Sequence, residues 1–175
     1  MCAVHSGPSI QTPRLTLRRP VRGDAERIAG LVDDFDVARM TTRIPHPYGE
    51  DGPRAFWSLA QASPGLELLV IDLVGEGAVG SIGLADKGGI LPEVGYWLGR
   101  PYWGEGLATE AVAALLRWAH AACGQRGLFA GHFADNPASG RVLEKAGFLY
   151  TGEVQGRFSL ARDEVAPTRM MVWLA

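Results

Sequence analysis

Cysteine is scarce in this chain. Cys2 and Cys123 are the only two, and no C-x-x-C pair occurs. That excludes a disulfide-built scaffold and points to a reducing, cytoplasmic home. Histidine is equally thin: His5, His46, His120 and His132 lack the spacing of a ligand set, so no metal is expected. Charge of one sign is missing as well. Seventeen Lys and Arg face 19 Asp and Glu, a net charge of -2, so no global positive field recruits nucleic acid or an acidic membrane. Long apolar runs are absent too. The most apolar helical stretch, LATEAVAALLRWAHAA, carries Glu110, Arg117 and His120, which makes it too short and too polar to span a bilayer. The opening MCAVHSGPSIQTP has no basic segment followed by an apolar one, so it does not read as a signal peptide. No repeat or low-complexity tract is visible.

What remains is a soluble globular pattern, with 47% hydrophobic and 21% charged residues over 175 positions. That length suits one domain, able to bury about 70% of its unfolded surface. Residues 1–11 read as a loose tail, and 12–175 as the domain. Arg14, Arg18, Arg19, Arg22 and Arg27 make its beginning locally basic, which a solvated edge strand explains as well as a partner surface.

The periodicity predicts a strand over RLTLRRP (14–20), with Leu15 and Leu17 on one face. A helix follows, with Asp24 as its N-cap and Ile28, Leu31 and Val32 as its apolar stripe. A second helix begins at Pro53. LELLVIDLV (66–74) and AVGSIGLAD (78–86) flank Gly75, Glu76 and Gly77 and read as a hairpin. EVGYWLG (93–99) is a further strand. A helix over about 107–122 ends at Gly124, and LFAGHF (128–133) is a short buried strand. NPASGRVLEKAGF (136–148) is a helix capped by Asn136, with Pro137 in its first turn and Gly147 in the left-handed position after it. Strands around 148–157 and 168–174 close the chain, and MMVWL, apolar on both faces, should be interior. The order β-α-α-β-β-β-α-β-α-β-β predicts an α/β fold with a mixed, mostly antiparallel central sheet flanked by helices.

The stretch GRPYWGEGLATEA sets Gly104 and Gly106 where a strand hands over to a helix. N–H groups in a helix's first turn have no intrahelical partners, and the helix dipole adds positive character there. Glycine lets a phosphate approach without a β-carbon in the way. Gly104, Glu105, Gly106, Leu107, Ala108 and Thr109 can therefore cradle a pyrophosphate, although a plain tight turn reads the same locally. A Walker loop is excluded, because Leu107 and Ala108 follow Gly106 where G-K-[ST] would end. A Rossmann site is excluded by the absence of an acidic residue in CGQRGLFAGHFA.

Taken together, EVGYWLGRPYWGEGLATEA and NPASGRVLEKAGF resemble the GNAT superfamily of N-acetyltransferases, and most closely its RimJ/RimL-like branch. TPRLTLRRP and the element order extend the likeness over nearly the whole chain from about residue 12. The resemblance implies the GNAT fold, acetyl-CoA as co-substrate with no metal, and an amine acceptor, either a protein N-terminus or a small molecule. It is compatible with a homodimer. It places the coenzyme's diphosphate on the glycine turn. Trp103 stands where the family usually has Gln or Arg, three residues before the first matched glycine, which removes one side-chain contact and leaves the backbone amides.

Transferring acetyl from a thioester to an amine requires a deprotonated amine, a donor to the thioester oxygen, a proton or hydrogen bond for the departing thiolate, and close positioning. The resemblance points to the backbone of Trp97, Leu98 and Gly99 as the donor, and Gly95 suits a bulge beside it. Glu93 shares a strand face with Gly95 and Trp97 and is the candidate base, or else a strand-end charge. Many family members place a tyrosine seven residues after the motif asparagine; here that position is Leu143. Ser139, at N-x-x-S, is instead the candidate acid, or a capping residue. Asn136 is implied to contact the coenzyme arm besides capping, and Arg141 and Lys145 could reach its adenosine phosphates. Asp33, Asp34 and Asp36 on one side, and Arg157, Arg162, Asp163 and Glu164 on the other, are candidate acceptor walls. The alternative class is a non-catalytic CoA-binding module; a nucleotide-dependent enzyme is disfavoured.

Overall fold

Leu15 and Leu17, spaced by two, should point the same way. In the computed structural model, which describes residues 8–62, 66–86 and 88–175, both are fully buried on β2 (Leu15–Arg18). The tail reading is corrected at its end. β1 (Ile10–Gln11) pairs antiparallel with β2, because Thr12 turns the chain back, its N–H donating to Leu15 O and its Oγ1 accepting from Leu15 N. Residues 1–7 of that tail lie outside the described residues.

α1 (Asp24–Val32), α2 (Phe35–Ala38) and α3 (Gly52–Ala62) follow. Asp24 is not the N-cap; Gly23 is. The Asp24 carboxylate instead takes both terminal nitrogens of Arg18 at 2.8 Å and the Val21 N–H. Burial pushes this carboxyl up, but the Arg18 contacts outweigh it and hold it below its ordinary value. The short α2 was not anticipated. Its N-cap, Asp34, accepts from Asp36 N, in a stretch whose Asp and Pro content reads as loop.

The hairpin of β3 (Leu66–Leu73) and β4 (Gly77–Ala85) forms as expected, and β5 (Glu93–Leu98) pairs antiparallel with β4. α4 (Leu107–Cys123) buries Val112, Leu115 and Leu116, a gain of about 1.5–3 kcal/mol for each such side chain. It ends on left-handed Gly124, φ 66°. β6 (Gly127–Phe133), α5 (Pro137–Lys145), β7 (Leu149–Ser159) and β8 (Glu164–Leu174) complete one eight-stranded sheet of order β1-β2-β3-β4-β5-β6-β8-β7. All neighbours are antiparallel except β5 and β6. β8 lies between β6 and β7, the interior place that MMVWL requires. α4 and α5 cover the face carrying Leu69, Ile71, Val94 and Leu98. α1 and α3 cover the face carrying Val70, Ala78 and Trp97.

The cysteine reading needs correction. Cys123 is disulfide-bonded and not a free thiol. Cys2 lies outside the described residues. No helix among the described residues is long and apolar enough to cross a membrane.

Candidate active site

The feature that opens the sheet is the parting of β5 from β6. Their parallel ladder holds only Glu93 with Phe129 and Val94 with Ala130, while β5 stays paired to β4 through Leu98. Backbone groups alternate sides along a strand. Pro92 O bonds Phe129 N toward β6, and Gly99 N bonds Val79 O toward β4, so the N–H groups of Tyr96 and Leu98 face the parted side. Gly99 has already committed its amide to Val79, and alternation turns Trp97's the same way. Of the three expected backbone donors, Leu98 is the one aimed into the gap, and Tyr96 joins it. On that side the Trp103 indole Nε1 donates to Leu98 O at 2.8 Å. An indole thus stands where the next rung to β6 would be.

The glycine turn lies just beyond. Gly104 and Gly106 have φ of 81° and 77°, a left-handed backbone in which a β-carbon is strained. Gly106 caps α4 without any side-chain bond, and the first helical bond runs from Glu110 N to Gly106 O. Among the described residues, none of the N–H groups from Gly104 to Thr109 has an acceptor. They form a run of donors at the positive end of a 17-residue helix. Arg14 holds this turn in place: its Nη1 bonds Glu105 O at 2.9 Å and its Nε bonds Glu110 Oε2 at 2.7 Å. Thr12 Oγ1 adds 2.6 Å to Glu110 Oε1. Burial pushes the Glu110 carboxyl up, but the bonds from Thr12 and Arg14 prevail and hold it below its ordinary value.

α5 presents its first turn to the same opening. Asn136 Oδ1 accepts from Ser139 N at 3.1 Å, the expected cap, which leaves its amide nitrogen for a ligand. Ser139 Oγ is 2.8 Å from the Tyr96 hydroxyl. Burial pushes the Tyr96 phenol up to about 12, against the opposing Ser139 bond, so the phenol keeps its proton at neutral pH. Sequence reasoning passed over Tyr96. The signal was its place on the Val94–Leu98 face, which turns toward α4 and α5.

On the opposite face of β5, Glu93 meets Arg157 of β7, both terminal guanidinium nitrogens reaching the carboxylate. Both side chains are more than four-fifths shielded, at 17% and 19% exposure. Beyond them the segment after α2 roofs the cleft, tied to the β7–β8 turn by Ser159 Oγ to Thr41 O at 2.9 Å and Arg162 Nε to Arg39 O at 2.6 Å. The expected acidic wall is rearranged here. Asp33 accepts from Tyr48 N, Asp34 caps α2, and of the three only Asp36 lines the cleft. From the other wall, Arg157 lines it, while Arg162, Asp163 and Glu164 do not. The Arg162 guanidinium pairs with Asp135 and lies over Phe133.

One cleft of about 830 Å3 gathers Glu93, Ser139, Asn136, Arg141 and every other expected catalytic or coenzyme-binding residue except Gly99 and Glu105. It runs from the glycine turn, through the β5–β6 parting, to the Glu93–Arg157 pair. An elongated co-substrate and a second reactant can meet at that parting.

Residues 14–149 match the family model described as an acetyltransferase (GNAT) domain. The chain is 28% identical over 158 residues to the uncharacterized N-acetyltransferase YoaA of Bacillus subtilis (strain 168), covering 83% of this chain and 85% of that one. Among solved structures, a GNAT-family acetyltransferase from Bacillus anthracis superposes with a TM-score of 0.82 at 24% identity, over 95% of this chain and 98% of that one. RimJ of Mycobacterium smegmatis, solved in complex with CoA-disulfide, has a TM-score of 0.82 at 20% identity, over 96% and 88% of the two chains. The chain belongs to the GNAT acetyltransferase family, whose members take the acetyl group from acetyl-CoA.

Proposed function

We propose that the protein moves the acetyl group of acetyl-CoA directly to the nitrogen of an amine, within a ternary complex, and that the amine is an α-amine of the kind found at a peptide N-terminus or in a small molecule. The single observation carrying this reading is the β5–β6 parting beside a run of unpaired amides. In this reading the diphosphate sits on the amides of Gly104 to Thr109, with Asn136 and Arg141 along the pantetheine and adenosine portions. The thioester oxygen takes hydrogen bonds from the Tyr96 or Leu98 N–H. The amine nitrogen attacks the thioester carbon, the C–S bond breaks, and the electron pair leaves with sulfur. Ser139 and Tyr96 stabilise that thiolate. A phenol at about 12 is a weaker acid than a thiol at about 8.5, so the pair acts by hydrogen bonding, and the proton the amine sheds finally neutralises the sulfur.

The state of Glu93 favours an α-amine. Both Glu93 carboxylate oxygens are occupied by Arg157, so the site suits an acceptor that needs little help in losing its proton. At pH 7 roughly one α-amine in ten is already neutral, against about four in ten thousand lysine side chains. Glu93 then attracts the ammonium and passes its proton on through water. The likeness to RimJ supports the RimJ/RimL-like reading through fold.

The test is release of CoA thiol from acetyl-CoA, scanned against peptides with free α-amines and matched lysine-side-chain amines. Intersecting double-reciprocal plots and an α-amine preference of tenfold or more are expected. Parallel plots, the mark of an acetylated enzyme, would reject direct transfer.

A further inference from the structure

The acceptor end of the cleft carries a charge pattern that selects among amines, an inference that rests on the amine acetylation proposed above. Three carboxylates line the cleft: Asp36, Glu93 and Asp135. Each is already engaged by arginine. Asp36 takes Arg39 Nε at 3.0 Å and Arg100 Nη1 at 3.4 Å. Asp135 takes Arg162 through both oxygens, at 2.9 and 3.0 Å, with Arg39 at 3.6 Å. Glu93 takes both terminal nitrogens of Arg157. A multiply charged cation entering here would have to break one of these pairs for every charge it brings, and would leave an arginine uncompensated beside it.

Among the described residues, the unengaged charge is of the other sign: Arg141 and Lys145 on α5, and Arg43 beyond the β5–β6 parting. Arg43 lines the same cleft, is exposed, and has no ion-pair partner among the described residues. Its place is fixed by the chain just before it. Thr41 O and Thr42 O accept from Ser159 Oγ and Leu160 N at 2.9 and 3.2 Å, which ties the roof segment to the β7–β8 turn. A guanidinium held at the rim of a cleft whose floor is electrically balanced offers a planar fork to a carboxylate or a phosphate.

We propose that the acceptor is an amine bearing a carboxylate or phosphate a few bonds from its nitrogen, that Arg43 binds this anionic group, and that polyamines are poor acceptors. The ammonium faces Glu93 while the anionic group reaches toward Arg43. This orientation holds the nitrogen at the β5–β6 parting.

The experiment measures kcat and KM by thiol release with the full-length protein and four amines: spermidine, ethanolamine, phosphoethanolamine and the dipeptide Ala-Glu. At least one of the two anionic amines should exceed both ethanolamine and spermidine by tenfold or more in kcat/KM, and the better of the two identifies carboxylate or phosphate as the group read. Arg43→Glu should raise KM for that amine at least tenfold with a smaller change in kcat, and Arg43→Lys should restore part of it. The acetyl-CoA Kd of each variant, by calorimetry, shows that it still folds. Spermidine as the best acceptor, or an anionic preference that survives Arg43→Glu, overturns the inference and leaves amine acetylation standing. Acetyl-CoA binding with no thiol release from any amine overturns amine acetylation itself, and this inference with it.

Discussion

At the end of the cleft proposed for the coenzyme, recognition is written in the backbone: N–H groups from Gly104 to Thr109 with no acceptor among the described residues, at the start of α4. At the end proposed for the acceptor it is written in side chains: Glu93 on Arg157, Asp36 and Asp135 on Arg39, and Arg43 with no ion-pair partner among the described residues. The two ends differ in what can be changed. Amide donors survive most substitutions and ask only that glycine keep its left-handed φ, which suits a ligand that does not vary. Ion pairs change sign or partner with one codon, which suits a pocket that must be tuned to one amine. The shared wall between them is β5, whose alternate residues face opposite ways, Tyr96 toward Ser139 of α5 and Glu93 toward Arg157 of β7.

The comparison breaks most sharply at Gly106. A valine there meets φ 77°, a conformation costing about 1–2 kcal/mol for a residue with a β-carbon, and more when branched. Its β-carbon also comes within 3.7 Å of Arg14 Nη2, the side chain that clasps this turn, so the run of amides would shift. Gly106→Val should weaken acetyl-CoA binding about 100-fold by calorimetry, with an unchanged circular dichroism spectrum. Unchanged affinity would remove the backbone account of that end.

A smaller effect is expected at the wall. Tyr96→Phe and Ser139→Ala should each lower kcat about tenfold with acetyl-CoA affinity within about twofold. The double variant should cost little more than either alone, since the two hydroxyls act as one hydrogen-bonded unit. Multiplying effects would show that they act separately.

The smallest effect concerns the clasp behind the glycine turn. Glu110 titrates below its ordinary value of 4.5 in the folded chain, so the unfolded chain binds the extra proton and this contribution to stability is full above about pH 4.5. It fades as pH falls through the folded value. Thermal melts across this range should show a steeper acid loss in the native protein than in Glu110→Gln, and Arg14→Ala should raise KM for acetyl-CoA a few-fold by loosening Glu105. Superimposable acid profiles would show that the clasp adds nothing.

Much of the fold was legible because its signals are local. Leu15 and Leu17 alternate, Asn136 and Gly147 bracket α5, and Gly124 stops α4, each visible within a few residues. The glycine turn was legible for the same reason. Tyr96 was not, because its partner Ser139 lies 43 positions away and only the crossover through α4 and β6 brings α5 beside β5. Glu93 was singled out, but Arg157 as its partner was not. That pairing joins residues 64 positions apart on β5 and β7, strands that are not neighbours in the sheet, so no local pattern announces it.

The sequence by itself determined the elements, their order and the glycine-led helix start, since helix caps, strand alternation and left-handed turns depend on residues close along the chain. Only the tertiary structure decided which carboxylates are neutralised, which amides of β5 face the gap, and that Arg43 has no ion-pair partner among the described residues, because charge and hydrogen-bond satisfaction depend on distance in space, and distance in space between remote residues is set by how the whole sheet is ordered.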